Sequence, residues 1–105
     1  MEAIQHLRGF FEAIAEDPRI TPTHISLYCA LFHYWLQKGC VNPVTIIRNE
    51  VMNVSKISGR TTYQKYIQEL QEYGYIKYEP SFNHFLGSLI SLPSYPECVA
   101  RIITK

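Results

Sequence analysis

The chain has 105 residues, is 47% apolar and carries a formal net charge of +1 at pH 7. Its length suits one domain with one hydrophobic core. Its net charge argues neither for nor against nucleic-acid binding, and because no segment is strongly basic any such contact must come from a few placed side chains. Cys29, Cys40 and Cys98 form an odd set without a CxxC pair, which argues against a secreted disulfide framework. The N-terminus lacks a signal-peptide pattern, and the longest apolar stretch, residues 25–36, is too short for a membrane span, so we expect a cytoplasmic protein.

The first predicted element is an amphipathic helix within residues 1–17. Pro18 ends it near Asp17, because proline disfavours the helical conformation in the residue before it. We expect this helix either to cap the core of its own domain or to pair with a second copy across a two-fold axis, giving a homodimer. Apolar residues at helical spacing define it: Ile4, Leu7, Phe10, Phe11, Ala13 and Ile14.

The second predicted helix starts with Thr21 as N-cap and Pro22 at its first position, and Gly39 ends it. Cys29 and His33 lie four residues apart on it, a spacing that can bind metal, but on so apolar a helix we expect both in the core and no metal site. We expect this helix to be central to the fold, because its apolar residues cover much of its surface: Ile25, Tyr28, Cys29, Leu31, Phe32, Trp35 and Leu36.

A third helix of two or three turns is predicted to start at residues 41–43. Its helical spacing is carried by Ile46, Ile47, Glu50, Val51 and Val54.

A short polar turn follows, and then a fourth helix. Lys56 occupies a turn position that is often glycine. Ser58 is the predicted N-cap of the fourth helix, and Gly74 is predicted to follow its end, where left-handed geometry suits glycine best. The predicted apolar positions of this helix are Tyr63, Tyr66, Ile67, Leu70 and Tyr73.

After Gly74 the periodicity changes to about two, which predicts strands at 75–79 and 88–92 that pair as a β-hairpin around a long loop. The expected fold is mainly α with a small β-hairpin, an α+β class. It comprises an N-terminal helix at 1–17, a helical domain with the hairpin at 21–92 and a C-terminal tail at 93–105.

The run from Thr62 to Ile76 ends in a leucine, a polar spacer, a glycine and an apolar strand. It resembles the recognition-helix-to-wing segment of many bacterial winged helix-turn-helix regulators. The fuller run from Ser58 to Ser88 resembles small helix-turn-helix proteins of Bacteroides-type bacteria that are labelled as transcriptional regulators. The resemblance covers roughly residues 21–92. It implies a winged helix-turn-helix with an extra N-terminal helix and with double-stranded DNA as its partner.

The implied function is transcription regulation, or an accessory role in replication or on a mobile element. A recognition helix at about 58–73 would enter the major groove, which admits one α-helix and presents distinguishable base edges. With Tyr63, Ile67 and Leu70 facing the core, five side chains are left on its outer face: Arg60, Thr61, Gln64, Lys65 and Gln68.

These side chains have expected roles. Arg60 suits a guanine edge, Gln64 suits adenine, and Thr61 and Thr62 suit a thymine methyl group or a phosphate. Exposed residues of these types on a helix more often form a solvated face. Phosphate contacts are expected from Lys56 and from free backbone amides at Ser58 and Gly59.

Two features limit this interface. Glu69 and Glu72 would repel phosphate, which confines the contact to the first two turns of the helix. In a wing at about 75–92, Asn83 and His84 are expected either to reach the DNA backbone or minor groove or to serve turn geometry alone. Phe82 and Phe85 beside them are expected to fold back on the hairpin.

The sequence predicts no enzyme and no cofactor. The four histidines are scattered without a metal-binding pair, and no glycine-rich phosphate loop or nucleophile elbow is present. The alternative function is a winged-helix protein-interaction module without significant DNA affinity. The near-neutral charge, the eight tyrosines and the aromatic wing fit that alternative.

Overall fold

A computed structural model of the chain describes residues 2–80 and 87–92. These residues form four helices and a three-stranded antiparallel sheet, so the predicted α+β class is confirmed. None of these helices is both long and apolar enough to cross a bilayer. The hairpin loop with Phe82, Asn83, His84 and Phe85, and the tail at 93–105, lie outside the described residues. In chain order the elements are α1 (Glu2–Ala15), α2 (Pro22–Gln37), β1 (Val44–Ile46), α3 (Arg48–Ser55), α4 (Arg60–Glu72), β2 (Lys77–Glu79) and β3 (Ser88–Ser91).

Helix α2 is the centre of the core, as its apolar surface predicts. Leu27, Tyr28 and Leu31 are completely buried in its middle. Thr21 is its N-cap and Pro22 its first residue, as predicted. At the other end Gly39 takes a φ of 84°, which lets the chain turn away from the helix.

Helix α1 packs on this core through aromatic rings. The ring of Phe10 stacks on that of Tyr28 at 3.7 Å between centroids and meets Tyr75 edge to face at 5.5 Å. Helix α1 therefore contacts the core of its own chain through Phe10. Ile4 and Phe11 on its outer side remain 63% and 43% exposed. Pairing of this side with a second copy stays a prediction.

The sheet contains a strand that the sequence pattern misses. The spacing in residues 41–54 predicts one helix, and this is wrong at its start, because Val44–Ile46 forms β1. Val44 and Ile46 are buried and Thr45 between them is exposed, the alternation of a half-buried strand. So short an apolar run fits both the helical period of 3.6 residues and the strand period of two. It forms a strand here because it pairs with β3, which is distant in the chain.

The predicted hairpin is confirmed, with β2 and β3 antiparallel and Tyr78 opposite Ile90. Strand β3 lies between the other two, so the order is β1-β3-β2. Gly87 precedes β3 with a φ of 78°, and a Cβ there would collide with the carbonyl oxygen of Ile46. The close approach of β1 to the start of β3 therefore depends on a glycine.

Two further expectations are wrong. Val54 is 41% exposed instead of lying on the buried face of α3, because the helix starts later than predicted and Met52 packs against the core in its place. His33 is exposed instead of lying in the core, on the uncovered side of α2 near Leu36, which is itself 42% exposed.

The loop between α1 and α2 is tied to the end of α4 by a hydrogen-bonded carboxylate. Both oxygens of Asp17 accept from the guanidinium of Arg19 at 2.8 Å, and Oδ2 also accepts from the hydroxyl of Tyr75 at 2.7 Å. Tyr75 comes directly after Gly74. As predicted, Gly74 follows the end of α4, and its φ is 89°. The bonds from Arg19 and Tyr75 hold the pKa of Asp17 well below its usual range.

Replacing Asp17 with Asn should lower the free energy of unfolding at neutral pH by about 1–3 kcal/mol, since a charged acceptor of several hydrogen bonds is lost. The pKa of Asp17 is lower in the folded than in the unfolded state. Its stabilisation is therefore fully present above the ordinary Asp pKa of about 4 and is lost as pH falls below it. Urea unfolding of both proteins between about pH 7 and pH 2 measures the difference.

The free energies of unfolding of the native protein and of Asp17→Asn should differ by a constant amount down to about pH 5. Below about pH 4 this difference should decrease. Glu16→Gln, at an exposed neighbour of Asp17, is the control and should change stability by less than about 0.5 kcal/mol. A difference between native and Asp17→Asn proteins that stays constant at low pH would show that the charge of Asp17 is not what stabilises the loop.

Candidate nucleic-acid interface

Helices α3 and α4 are joined by a four-residue turn at 56–59, the length found in helix-turn-helix motifs. The end of α3 is fixed to the central helix, because the hydroxyl of Ser26 donates to the carbonyl of Ser55 at 2.6 Å. The buried hydroxyl of Ser55 in turn donates to the carbonyl of Val51 at 2.7 Å. The turn therefore starts from a rigid point of the core.

Lys56 opens this turn in the left-handed conformation, with φ 64° and ψ 26°. This is the position that is often glycine, and a lysine there stores backbone strain. Ile57 follows as a buried anchor, with 7% of its surface exposed. The ammonium group of Lys56 is thus carried on a strained, exposed residue directly beside a residue that is fixed in the core.

The N-cap of α4 is Gly59, so the prediction of Ser58 is wrong. The reason is that the first helical bond runs from the amide of Tyr63 to the carbonyl of Gly59 at 2.9 Å. No side chain caps the helix, and the described residues offer no acceptor to the backbone amides of residues 60–62. The amides of Ser58 and Gly59, which are expected to be free, likewise have no acceptor among the described residues.

The faces of α4 agree with the predicted division into core and surface. Tyr63, Ile67 and Leu70 are buried. Thr61, Lys65 and Gln68 follow one another at helical spacing on the opposite side and are exposed. Of the other predicted contact residues, Lys56, Ser58, Arg60 and Thr62 are exposed and Gln64 is half-buried.

Three cations of this surface have no carboxylate partner among residues 2–80 and 87–92. Neither Lys56 nor Arg60 nor Lys65 takes part in a salt bridge within the described part of the chain. The ammonium of Lys65 lies 5.4 Å from the centre of the Tyr66 ring. Glu69, expected to repel phosphate, bonds instead to the buried His24 at 2.7 Å. Positive charge is therefore uncompensated along the turn and the first two turns of α4.

Sequence reasoning missed the contribution of α3 to this surface. An open groove runs along α3 into the turn, lined by Asn49, Met52, Asn53, Lys56, Ile57 and Ser58. The two asparagines are exposed and lie four residues apart, which places both amides on the same side of the helix. That spacing could have been read from the sequence.

The described residues contain no group of three or more His, Cys, Asp or Glu side chains that could hold a metal ion. Burial raises the pKa of the Cys29 thiol, which disfavours the thiolate that nucleophilic chemistry requires. Comparison of the chain with models of protein families, with curated proteins and with solved structures finds no match.

Replacing Lys56 with Gly should raise the free energy of unfolding by about 0.5–1 kcal/mol, because glycine adopts the left-handed conformation without strain. Lys56→Ala should not stabilise the protein, since it keeps the strained backbone and removes only the ammonium group. Urea unfolding of the three proteins measures the effect. Equal stability of the Gly and Ala variants would mean that the turn carries no strain at this residue.

Proposed function

We propose that this protein binds duplex DNA with α4 as the recognition helix of a winged helix-turn-helix, and that it regulates transcription or assists replication in the cytoplasm. The observation that carries the proposal is the uncapped start of α4, flanked by cations that make no salt bridge in the described part of the chain. Free amides and the positive end of a helix dipole attract phosphate. The four-residue turn before α4 and the hairpin after it support the same fold.

The proposed contacts are of two kinds. Lys56, Ser58, Thr62 and the amides of residues 60–62 bind phosphate and fix the register of the protein on the duplex. The exposed side of α4 lies in the major groove, where Lys65 binds phosphate and four other side chains read base edges: Arg60, Thr61, Gln64 and Gln68. The β2–β3 hairpin serves as the wing, with contacts from Asn83 and His84. Pairing of two copies through α1 would present two recognition helices to two half-sites.

The double substitution Arg60→Ala/Lys65→Ala should weaken binding to a labelled pool of duplexes by at least about tenfold. It should also reduce the slope of log affinity against log salt by about one, since the phosphate contact of Lys65 is lost whereas Arg60 reads a base edge. Fluorescence anisotropy at several salt concentrations measures both quantities.

The matched control is Arg8→Ala/Lys38→Ala, which removes the same charge from exposed residues elsewhere. Lys38 follows the far end of α2, about 20 Å along that helix from His24 beside α4. The control should change affinity by less than about twofold and leave the slope intact. An equal loss of DNA affinity in both double variants would show that the effect comes from net charge alone and not from contacts made by α4. No binding by the folded native protein at low salt would exclude the DNA function and favour a protein-interaction module.

A substitution at Gly59 separates helix capping from phosphate binding. The φ of −97° and ψ of 130° suit a side-chain cap, and the one close neighbour of an added Cβ is the hydroxyl of the exposed Thr62 at 3.3 Å. Gly59→Asp should therefore stabilise the protein by a few tenths of a kcal/mol or leave it unchanged. The same variant should weaken DNA binding by roughly tenfold or more, because its carboxylate occupies the place of the phosphate.

Gly59→Asn is the matched control, since asparagine caps a helix as well as aspartate does but carries no charge. Thermal unfolding and anisotropy on both variants give the two readouts. Equal DNA affinity of the Asp and Asn variants would exclude a phosphate at the start of α4.

A further inference from the structure

We infer that His24 is a positioning residue for DNA binding, which keeps Lys65 available to phosphate by holding Glu69 away from it. The inference rests on the proposed function and concerns a residue on α2, outside the proposed DNA-contacting surface. His24 is almost completely buried, with 2% of its side chain exposed, whereas 24% of the Glu69 side chain is exposed. Their contact joins two residues that are 45 positions apart in the chain.

The hydrogen bonds of His24 fix which ring nitrogen carries the proton. Nδ1 lies 2.9 Å from the backbone nitrogen of Thr21 and accepts its N–H, in the capping box of α2. The proton of the neutral ring is therefore on Nε2, which donates to Oε1 of Glu69 at 2.7 Å. The ring of Tyr66 closes one side of the imidazole edge to face at 4.5 Å. His24 is thus held from two directions and presents one donor to α4.

Glu69 would otherwise be the partner of Lys65. The two residues lie at i and i+4 on α4, the spacing at which opposite charges pair on a helix surface. The other carboxylate of α4, Glu72, is seven residues from Lys65 and therefore lies about two helical turns away. Yet Lys65 makes no salt bridge to the described residues, and Glu69 bonds to His24. The buried histidine therefore decides that the ammonium of Lys65 stays unpaired.

The variant His24→Gln tests this role with the cap of α2 preserved. Glutamine at the third helical position completes the same capping box, because its carbonyl oxygen accepts the Thr21 N–H. Loss of the ring and its Nε2–H releases Glu69 to pair with Lys65. We expect DNA affinity to fall by about three- to tenfold and the salt slope to fall by about one. The ion pair alone accounts for about twofold of this loss, and repulsion between the released carboxylate and phosphate accounts for the rest.

The decisive protein is the double variant His24→Gln/Glu69→Gln. Its residue 69 is neutral and cannot compete for Lys65, so affinity and salt slope should return to within about twofold of the native protein. Thermal stability should stay as low as in the single variant, because the bond between α2 and α4 is still missing. A purely structural role of His24 predicts the opposite, with DNA binding as weak in the double variant as in the single one.

Two further variants complete the test. Glu69→Gln alone should bind DNA within about twofold of native, since its charge is already directed away from Lys65. Lys65→Ala added to His24→Gln should cause little further loss, because Lys65 is already occupied. Failure of the double variant to recover, with native DNA binding intact and helicity retained by circular dichroism, would overturn the role of His24 alone. No DNA binding by the native protein would overturn the proposed function and this inference together.

Discussion

The structure depends on the covering of α2, because this helix is apolar on more sides than one neighbour can bury. Helix α1 covers one side through the stack of Phe10 on Tyr28. Helices α3 and α4 are fixed on other sides by Ser26 and His24, which make polar contacts to Ser55 and Glu69 at the margin of the core. An apolar helix needs such contacts to select one packing among many, since burial itself has no direction.

The same contacts orient the candidate interface. The bond from Ser26 fixes the end of α3, and the next residue, Lys56, takes a strained conformation in which its charge is exposed. The bond from His24 fixes Glu69 on the inner flank of α4. Stability and electrostatics are therefore coupled here, because a group that holds a helix in place also determines which of its charges face solvent.

Much of the fold follows from local rules. Pro18, the Thr21-Pro22 pair, Gly39 and Gly74 mark the helix ends where the sequence predicts them, since capping and left-handed turns depend on a few adjacent residues. The buried side of α4 follows from its 3.6-residue period and agrees with the exposure of Thr61, Lys65 and Gln68. The predicted cap of α4, Ser58, lies one residue before the observed cap, Gly59, because both residue types suit that position.

The sequence by itself determined the four helices, the hairpin and the division of α4 into a buried side and a polar side, because these depend on periodicity and on neighbouring residues. Only the tertiary structure decided that Val44–Ile46 is a strand, since its partner β3 lies more than 40 residues along the chain. Only it decided that Glu69 bonds to the buried His24 and not to Lys65. The spacing of residues along the chain does not indicate which distant segments will be in contact. Those contacts form only when the core brings the helices together.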